Sequence, residues 1–299
     1  YTVTTLSPSR NLGIYHMCLI LFAWNSHPDY SLVVAANRDE FYARPTDPIG
    51  YWKDSPHILG ARDAADVLGL PGTALGLSLQ GKFAAVTNIR APSEKNPDMR
   101  TRGELTAKYL TQPHGINEFV QSHEKSFLQY NGFNLLLGNI SLGDKSHLYW
   151  LSNRLVIGGK VRHRKVMHPV PINPGVYGLS NAMLDTPWPK VRNGVAAFAQ
   201  VLAMDNGKLN HYEHYFRVLK NDIRPSDNEL PSTGVNLEWE RALSSIFIKT
   251  ENYGTRSSSL LRVRKDGTFQ MIERTFDMHT NENTSFFEGQ FNSSTQIES

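Results

Sequence analysis

The chain has 299 residues, of which 40% are hydrophobic and 20% charged, a composition typical of a globular protein with one or two domains. Its 31 basic residues are scattered and the net charge is only +3, so nucleic-acid binding is not indicated. No apolar run approaches the length of a bilayer-spanning helix, which argues against an integral membrane span. A single cysteine permits no internal disulfide and favours a reducing compartment, so we predict a cytoplasmic protein.

Residues 1–16 have neither the apolar core of a signal peptide nor the arginine content of a transit peptide. We interpret them as a disordered leader, a tag or sequence upstream of the true start, with a removed propeptide as the alternative. From 17 to 299 no repeat, linker or charge block divides the chain, which predicts a single domain. Its polar tail from about residue 278 is predicted to be frayed.

Two apolar runs at 17–24 and 32–40 flank the turn-rich residues 25–29 and predict a pair of strands. Residues 43–56 are rich in Pro, Asp and Gly, which predicts a loop. A hairpin is predicted over 77–87. The later predicted strands lie at 133–138, 147–151, 155–157, 176–181, 255–264 and 268–276, and the predicted helices at 101–110, 115–127, 191–202, 212–219 and 237–247.

Strands and helices follow one another in groups instead of alternating singly. This order predicts an α+β protein with layered, mainly antiparallel sheets. Two sheets stacked between layers of helices would explain why the strands are so apolar.

The only cysteine, Cys18, opens the first predicted strand and directly follows Met17. A lone cysteine usually packs as a small core residue. If Met17 is removed, however, a thiol and a free α-amine share one residue. An α-amine with a pKa of about 7.7–8.0 is suited to take the thiol proton at neutral pH. We therefore predict that the functional chain begins at Cys18.

A cysteine nucleophile needs a cation that favours the thiolate, a carboxylate that orients the amine and a donor for the oxyanion. Arg38, Asp39 and Glu40 can supply the cation and the carboxylate. Asp39 and Glu40 should point to opposite faces of an extended segment, so we expect at most one of them to face the thiol. Asn88 ends a predicted strand and can donate from its amide. Two further polar residues at strand boundaries are candidates, although each taken singly fits an ordinary turn or surface position: Asn181 and Arg256.

Seven ordered motifs resemble the NRDE family, also called the transport and Golgi organisation protein 2 family. The motifs lie at 17–19, 37–40 (Asn-Arg-Asp-Glu), 83–88, 102–105, 130–135, 178–190 and 253–258. This resemblance implies the four-layer αββα sandwich of N-terminal-nucleophile hydrolases.

A more distant resemblance connects the chain to penicillin V acylases and bile-salt hydrolases. In those enzymes the aspartate is the third residue after the arginine, whereas here it follows the arginine immediately. The resemblance implies a catalytic set in the same order along this chain: Cys18, Arg38, Asp39, Asn88, Asn181 and Arg256.

Two functional hypotheses follow. The first is a cysteine amidohydrolase in which Cys18 attacks a small acyl-amide, forms a thioester and releases the acid after attack by water. The second is a non-catalytic haem or lipid carrier, because the resemblance implies links to Golgi organisation, secretion and haem trafficking. We predict no cofactor and no metal, and a small-molecule amide, a lipid or haem as the ligand. The sequence gives no signal for substrate identity or oligomeric state.

Overall fold

The structure is a computed structural model that describes residues 17–63, 71–94, 96–140, 146–157, 160–164, 166–279 and 281–292. The predicted leader at 1–16 lies outside the described residues, as does the end of the tail at 293–299.

One antiparallel sheet carries Cys18. Its strands are β1 (Met17–Trp24), β2 (Tyr30–Phe41), β12 (Gly175–Leu179), β13 (Tyr253–Arg264), β14 (Thr268–Phe276) and β15 (Glu282–Gln290). Within the described residues the strand order is β12-β1-β2-β13-β14-β15. The hairpin predicted from the two apolar runs is present as β1 and β2, and both faces of these strands are buried, which explains their continuous apolar sequence.

A second antiparallel sheet faces the first. It contains β3 (Thr46–Trp52), β4 (Ser55–Asp63), β5 (Leu75–Ser78), β6 (Lys82–Asn88), β7 (Phe133–Asn139), β8 (His147–Ser152) and β11 (Val170–Pro171). Its order over the described ranges is β11-β8-β7-β6-β5-β4-β3. A small hairpin of β9 (Arg154–Ile157) and β10 (Lys160–His163) stands apart from both sheets.

Helices cover the outer face of each sheet. They are α1 (Gly103–Thr111), α2 (Ile116–His123), α3 (Pro189–Ala203), α4 (Tyr212–Leu219) and α5 (Leu237–Ala242). Alternate residues of β1 point to opposite faces of its sheet: Ile20 and Phe22 pack between the sheets, whereas Leu19 and Leu21 pack against α3 and α4. Helices α1 and α2 pack on the other sheet. The predicted α+β, four-layer αββα architecture is confirmed.

The loop prediction for 43–56 is wrong, because β3 and the start of β4 occupy most of it. Pro48 is tolerated since β3 lies at the edge of its sheet, where a missing N–H removes no ladder bond. Ile49 and Trp52 are buried and anchor the strand. The helix predicted over 237–247 also ends early, at Ala242.

The predicted fraying of the tail is wrong for residues 282–290. They form β15, which pairs in continuous register with β14 from Phe276 opposite Glu282 to Thr268 opposite Gln290. Phe291 is buried and stacks on Phe269 with ring centroids 5.5 Å apart. A few aromatic residues in an otherwise polar segment are enough to fix this edge strand on the core.

Candidate active site

The pairing of β1 with β2 brings the thiol beside the Asn-Arg-Asp-Glu motif. Cys18 lies directly opposite Arg38, and Met17 lies opposite Asp39. Directly opposed residues share a face of the sheet, with Cβ atoms about 4.5–5.5 Å apart. The register of one hairpin therefore places a guanidinium next to the sulfur.

Cys18 is partly exposed in a cleft of about 80 Å³ between the two sheets. Four of the six predicted site residues line this cleft: Cys18, Arg38, Asp39 and Asn88. They come from β1, β2 and β6, so each sheet contributes to the site. The predicted residues thus converge although up to 70 positions separate them in the sequence.

Asp39 is a buried carboxylate with one unused oxygen. Its Oδ1 accepts a hydrogen bond from the Thr255 hydroxyl at 2.6 Å. Its Oδ2 is buried and has no hydrogen-bond partner among the described residues. Burial raises the pKa of Asp39 to about 6, although Lys190, the Thr255 bond and Arg38 act in the opposite direction. An unpaired buried carboxylate oxygen costs free energy, so this atom is suited to receive a cation or a donor.

Glu40 has different surroundings from Asp39. Its Oε2 lies 3.7 Å from Arg38 Nη2 and 3.6 Å from Arg44 Nε. Its Oε1 accepts from the Phe41 backbone N–H at 2.8 Å. The two neighbouring acids both contribute to the cleft lining, but Glu40 is held by arginines while Asp39 keeps an unpaired oxygen.

The thiol of Cys18 is protonated at neutral pH in the chain as described. Burial raises its pKa to about 12, and the negative charge of Asp39 adds to this effect. Arg38 and a hydrogen bond from the Asp39 backbone N–H act in the opposite direction but do not compensate. Nucleophilic attack therefore needs a base that removes the proton as the bond forms.

Asn88 is fixed by a series of hydrogen bonds that join the two sheets. The Ser180 hydroxyl donates to the Cys18 carbonyl at 2.9 Å, and the Thr87 hydroxyl donates to the Ser180 carbonyl at 2.7 Å. Asn181 Nδ2 donates to the Asn88 carbonyl at 3.0 Å. Asn181 is buried and does not line the cleft around Cys18. Its position is behind Asn88, where it holds the backbone of that residue.

Arg256 also lies outside the lining of the Cys18 cleft. It sits at an irregularity of β13, where the pairing with β2 shifts between Thr255 and Ser257. Its Nη1 donates to the carbonyls of Phe41, Tyr42 and Arg44 at 3.0–3.1 Å. Arg256 therefore fixes the turn after β2 instead of pointing at the thiol.

Arg102 has no role in the sequence prediction, although it belongs to the family motif at 102–105. Arg102 lines the cleft directly before α1, and its side chain donates to the Gly132 carbonyl at 3.3 Å. Burial lowers its pKa to about 10, while the Cys18 thiolate would favour its charge. The start of α1 can lie close to the backbone of residue 72 only because that residue is a glycine: a Cβ on Gly72 would come within 2.8 Å of the Gly103 backbone. The pair Arg102-Gly103, at the start of the predicted helix, is the sequence signal that could have identified Arg102 as a site residue.

Lys190 was also missed. It lies near the start of α3, is buried, and donates from Nζ to the Leu243 carbonyl at 3.2 Å. Burial lowers its pKa to about 8, and the charges of Asp39 and Cys18 favour its protonated form. The site thus contains a second buried cation on the helix side of the sheet.

The described residues contain no group of three or more metal-ligating side chains. In the same part of the chain, no helix combines the length and apolarity that crossing a membrane requires.

The sequence profile of the family described as Transport and Golgi organisation 2 matches residues 17–278. The chain belongs to this family. The Transport and Golgi organization protein 2 homolog of Bos taurus is 32% identical over 269 residues, which cover 86% of this chain and 92% of the bovine protein. The Mus musculus homolog is 29% identical with the same coverage. A crystal structure of a variant of conjugated bile acid hydrolase from Clostridium perfringens aligns over 94% of this chain and 100% of that chain, with 10% identity and a TM-score of 0.46.

The predicted family membership is therefore confirmed. In this member of the Transport and Golgi organisation 2 family, the Asn-Arg-Asp-Glu motif lies at the end of β2. Three of its four residues line the cleft: Arg38, Asp39 and Glu40. Asn37 faces the helices instead, and its Nδ2 donates to the carbonyls of Leu219 and Ile246.

Proposed function

We propose that this protein is a cysteine amidohydrolase with Cys18 as the nucleophile and a small acyl-amide as the substrate. The observation that carries this proposal is the pairing of Cys18 with Arg38 and of residue 17 with Asp39, whose Oδ2 is buried and unpaired among the described residues. We also infer a cytoplasmic location from the single reduced cysteine.

The unpaired oxygen of Asp39 supports a chain that begins at Cys18. Because Met17 is opposite Asp39 in the ladder, we infer that the Cys18 nitrogen lies close to that carboxylate. With Met17 removed, this nitrogen becomes an amine, and its ammonium form would donate a hydrogen bond to Asp39 Oδ2, which has no such partner among the described residues. In its neutral form, which an α-amine with a pKa of about 7.7–8.0 partly adopts at neutral pH, the same amine supplies the base that a thiol with a raised pKa requires.

The reaction then follows from the arrangement. The amine takes the thiol proton while Cys18 Sγ attacks the substrate carbonyl carbon. The C–N bond breaks, the amine product leaves with that proton, and a thioester remains on Cys18. A water molecule gives a proton to the α-amine and attacks the thioester, and the acid product leaves as the thiol is restored. In this proposal Asn88, which lines the cleft, donates its amide to the oxygen that becomes negative in both steps.

The test is hydrolysis of a library of small N-acyl amides by the protein that starts at Cys18. We expect release of amine and acid by the wild type. Cys18→Ala should abolish turnover while Cys18→Ser retains ligand binding. Measurement of the melting temperature checks that both variants fold. Equal turnover by Cys18→Ala would overturn the proposal.

A non-catalytic carrier of haem or lipid is the second candidate. The raised pKa of the Cys18 thiol favours it, because a protonated thiol is a poor nucleophile. The names of the relatives, which refer to transport and Golgi organisation, agree with a trafficking role.

A further inference from the structure

A second cavity lies directly behind the thiol, between the two sheets. It has a volume of about 30 Å³ and shares five lining residues with the outer cleft: Cys18, Arg38, Ala61, Ala74 and Val86. Side chains on one face of four neighbouring strands, β1, β2, β13 and β14, form the floor of this cavity. The ladder registers align Ile20 with Ala36, Ala36 with Ser259, and Ser259 with Glu273, so these side chains form one row across the sheet.

Small residues create the space in this inner cavity. Ala36 on the floor is joined in the lining by Ala61 of β4 and by Ala74, which directly precedes β5, and larger apolar side chains close the sides. An alanine among larger inward-facing residues leaves a void that neighbouring side chains only partly fill. Apart from Arg38, which also lines the outer cleft, the walls beside the thiol are therefore apolar, whereas Asp39, Glu40 and Arg44 make the outer cleft charged.

The far end of the inner cavity is polar. Glu273 lies three strand spacings from β1, about 14 Å across the sheet. It is 2% exposed, and its Oε2 accepts from the Ile49 N–H at 2.7 Å. A long aliphatic chain that reached this end would displace or face a buried carboxylate, which is unfavourable. Glu273 therefore limits the useful depth of the cavity.

We propose that this inner cavity holds the acyl group of the substrate and limits it to short acids, from acetyl to about butyryl. The inference rests on the proposed function. A water molecule needs about 10–15 Å³ of such volume, so 30 Å³ accommodates two or three non-hydrogen atoms beyond the carbonyl carbon. The amine part of the amide then lies in the outer cleft among charged side chains, where a polar group is favoured and water can enter.

The first test measures kcat/KM for amides of one amine with acyl groups from acetyl to octanoyl. We expect a fall of at least tenfold beyond butyryl. Ala36→Val adds two methyl groups to the floor on a strand that suits valine, and it should shift the limit to acetyl. Ala35→Val is the matched control, because Ala35 is next in the same strand but packs against the helices. It should leave the chain-length profile unchanged.

A second measurement does not need catalysis. Alkyl methanethiosulfonates convert Cys18, the only cysteine, to an alkyl disulfide with release of methanesulfinate, and intact mass reports the extent. The small thiolate fraction slows all reagents equally, so dividing each rate by that of the methyl reagent removes its effect. In the wild type we expect the labelling rate to fall at least tenfold between the propyl and the hexyl reagent. In Ala36→Val the same fall should occur at a shorter alkyl chain.

The outcomes separate the two proposals. Hydrolysis that depends on Cys18 but is equal for acetyl and octanoyl, or that is unaffected by Ala36→Val, overturns the acyl cavity and leaves the hydrolase. Labelling that depends on chain length without any hydrolysis overturns the hydrolase and leaves the inner cavity as a short-chain site. If Ala36→Val does not fold, equal labelling by short and long reagents in the native protein still overturns the acyl cavity.

Discussion

At the scale of single residues, the chemistry of the site comes from unequal environments of similar groups. Asp39 and Glu40 are neighbours in the sequence, yet one keeps a buried unpaired oxygen and the other lies between two arginines. Asn88 and Asn181 are both strand-end asparagines, yet only Asn88 lines the cleft around Cys18. Substitution of these residues should therefore have separable effects.

Asn88→Ala should reduce kcat by about 10²–10³-fold, because a single oxyanion donor is lost while no buried charge is left behind. The measurement is kcat and KM on a hydrolysed acyl-amide. Asn139→Ala is the matched control, since Asn139 also ends a strand but is exposed. An Asn88→Ala protein that unfolds, or that turns over at the normal rate, would show that Asn88 serves only the strand end.

Asp39→Asn should change the pH dependence of stability in protein that retains Met17. Burial raises the pKa of Asp39 in the folded chain from 3.8 to about 6, so its proton stabilises the fold at low pH. That contribution is complete below about pH 4 and is lost as the pH rises through about 6. The asparagine variant should therefore gain stability over the wild type as the pH increases from 4 to 7.5.

Urea unfolding at both pH values measures this effect. Asp227→Asn is the control, because the pKa of this exposed carboxyl is lowered by its hydrogen bond to Arg241, and no gain is expected. In protein that starts at Cys18, an ammonium beside Asp39 should remove the gain. A stability difference that does not vary with pH would refute the raised pKa of the buried Asp39.

At the scale of elements, strand ends and turns determine which residues reach the cleft. The turn after β2 supplies Arg44, whose Nη2 pairs with Asp63 at 2.6 Å on the neighbouring sheet. Arg256 holds this turn through three backbone carbonyls. Its part in the site is thus indirect and passes through the backbone.

Arg256→Ala should lower the free energy of unfolding by about 1.5–3 kcal/mol, because hydrogen bonds from a charged donor are lost. Arg256→Lys should recover little, since an ammonium lacks the planar fork that Arg presents. We expect kcat per folded molecule to change less than tenfold. Arg192→Ala, at an exposed ion pair with Glu229, is the control with a small effect. Normal stability with lost turnover would instead favour a direct catalytic role.

At the scale of the whole molecule, the site lies where the two sheets meet. The hydrogen bonds of Ser180, Thr87 and Asn181 connect the end of β12 with β1 and β6. Opening of the sandwich would therefore separate Cys18 from Asn88. Two predictions also concern the entire protein: where the functional chain begins and which ligand it binds.

Protein expressed with residues 1–16 should be active only after conversion to a chain that starts at Cys18. The reason is that a peptide nitrogen cannot act as the base for the thiol. Intact-mass analysis of active and inactive fractions measures the N-terminus. Full activity in molecules that retain residues 1–16 would exclude the amine as the base.

The carrier hypothesis predicts saturable binding of haem or an acyl chain that survives Cys18→Ala, because a carrier needs the cavity but not the thiol. Titration of the purified wild type and variant measures it. Binding that never saturates, or that disappears in Cys18→Ala, would contradict this second function.

The sequence by itself determined the layered fold and part of the cleft. Apolar strands bounded by turn residues specified β1 and β2, and a hairpin fixes its own register, so Cys18, Arg38 and Asp39 could be placed together. The ordered motifs gave the family. Local signals failed where tertiary packing overrides composition, as in β3 with its edge proline and in β15 with its buried aromatic residues.

Only the tertiary structure decided which polar strand-end residues reach the thiol. Arg256 and Asn181 look like Asn88 in the sequence, but the direction of a side chain at a strand end depends on bulges and on the opposite sheet. Burial likewise has no local signature, so the raised pKa of Cys18 and the buried cation of Lys190 were not predictable. The inner cavity exists because residues distant in sequence meet at small side chains, and that contact forms only when the two sheets stack.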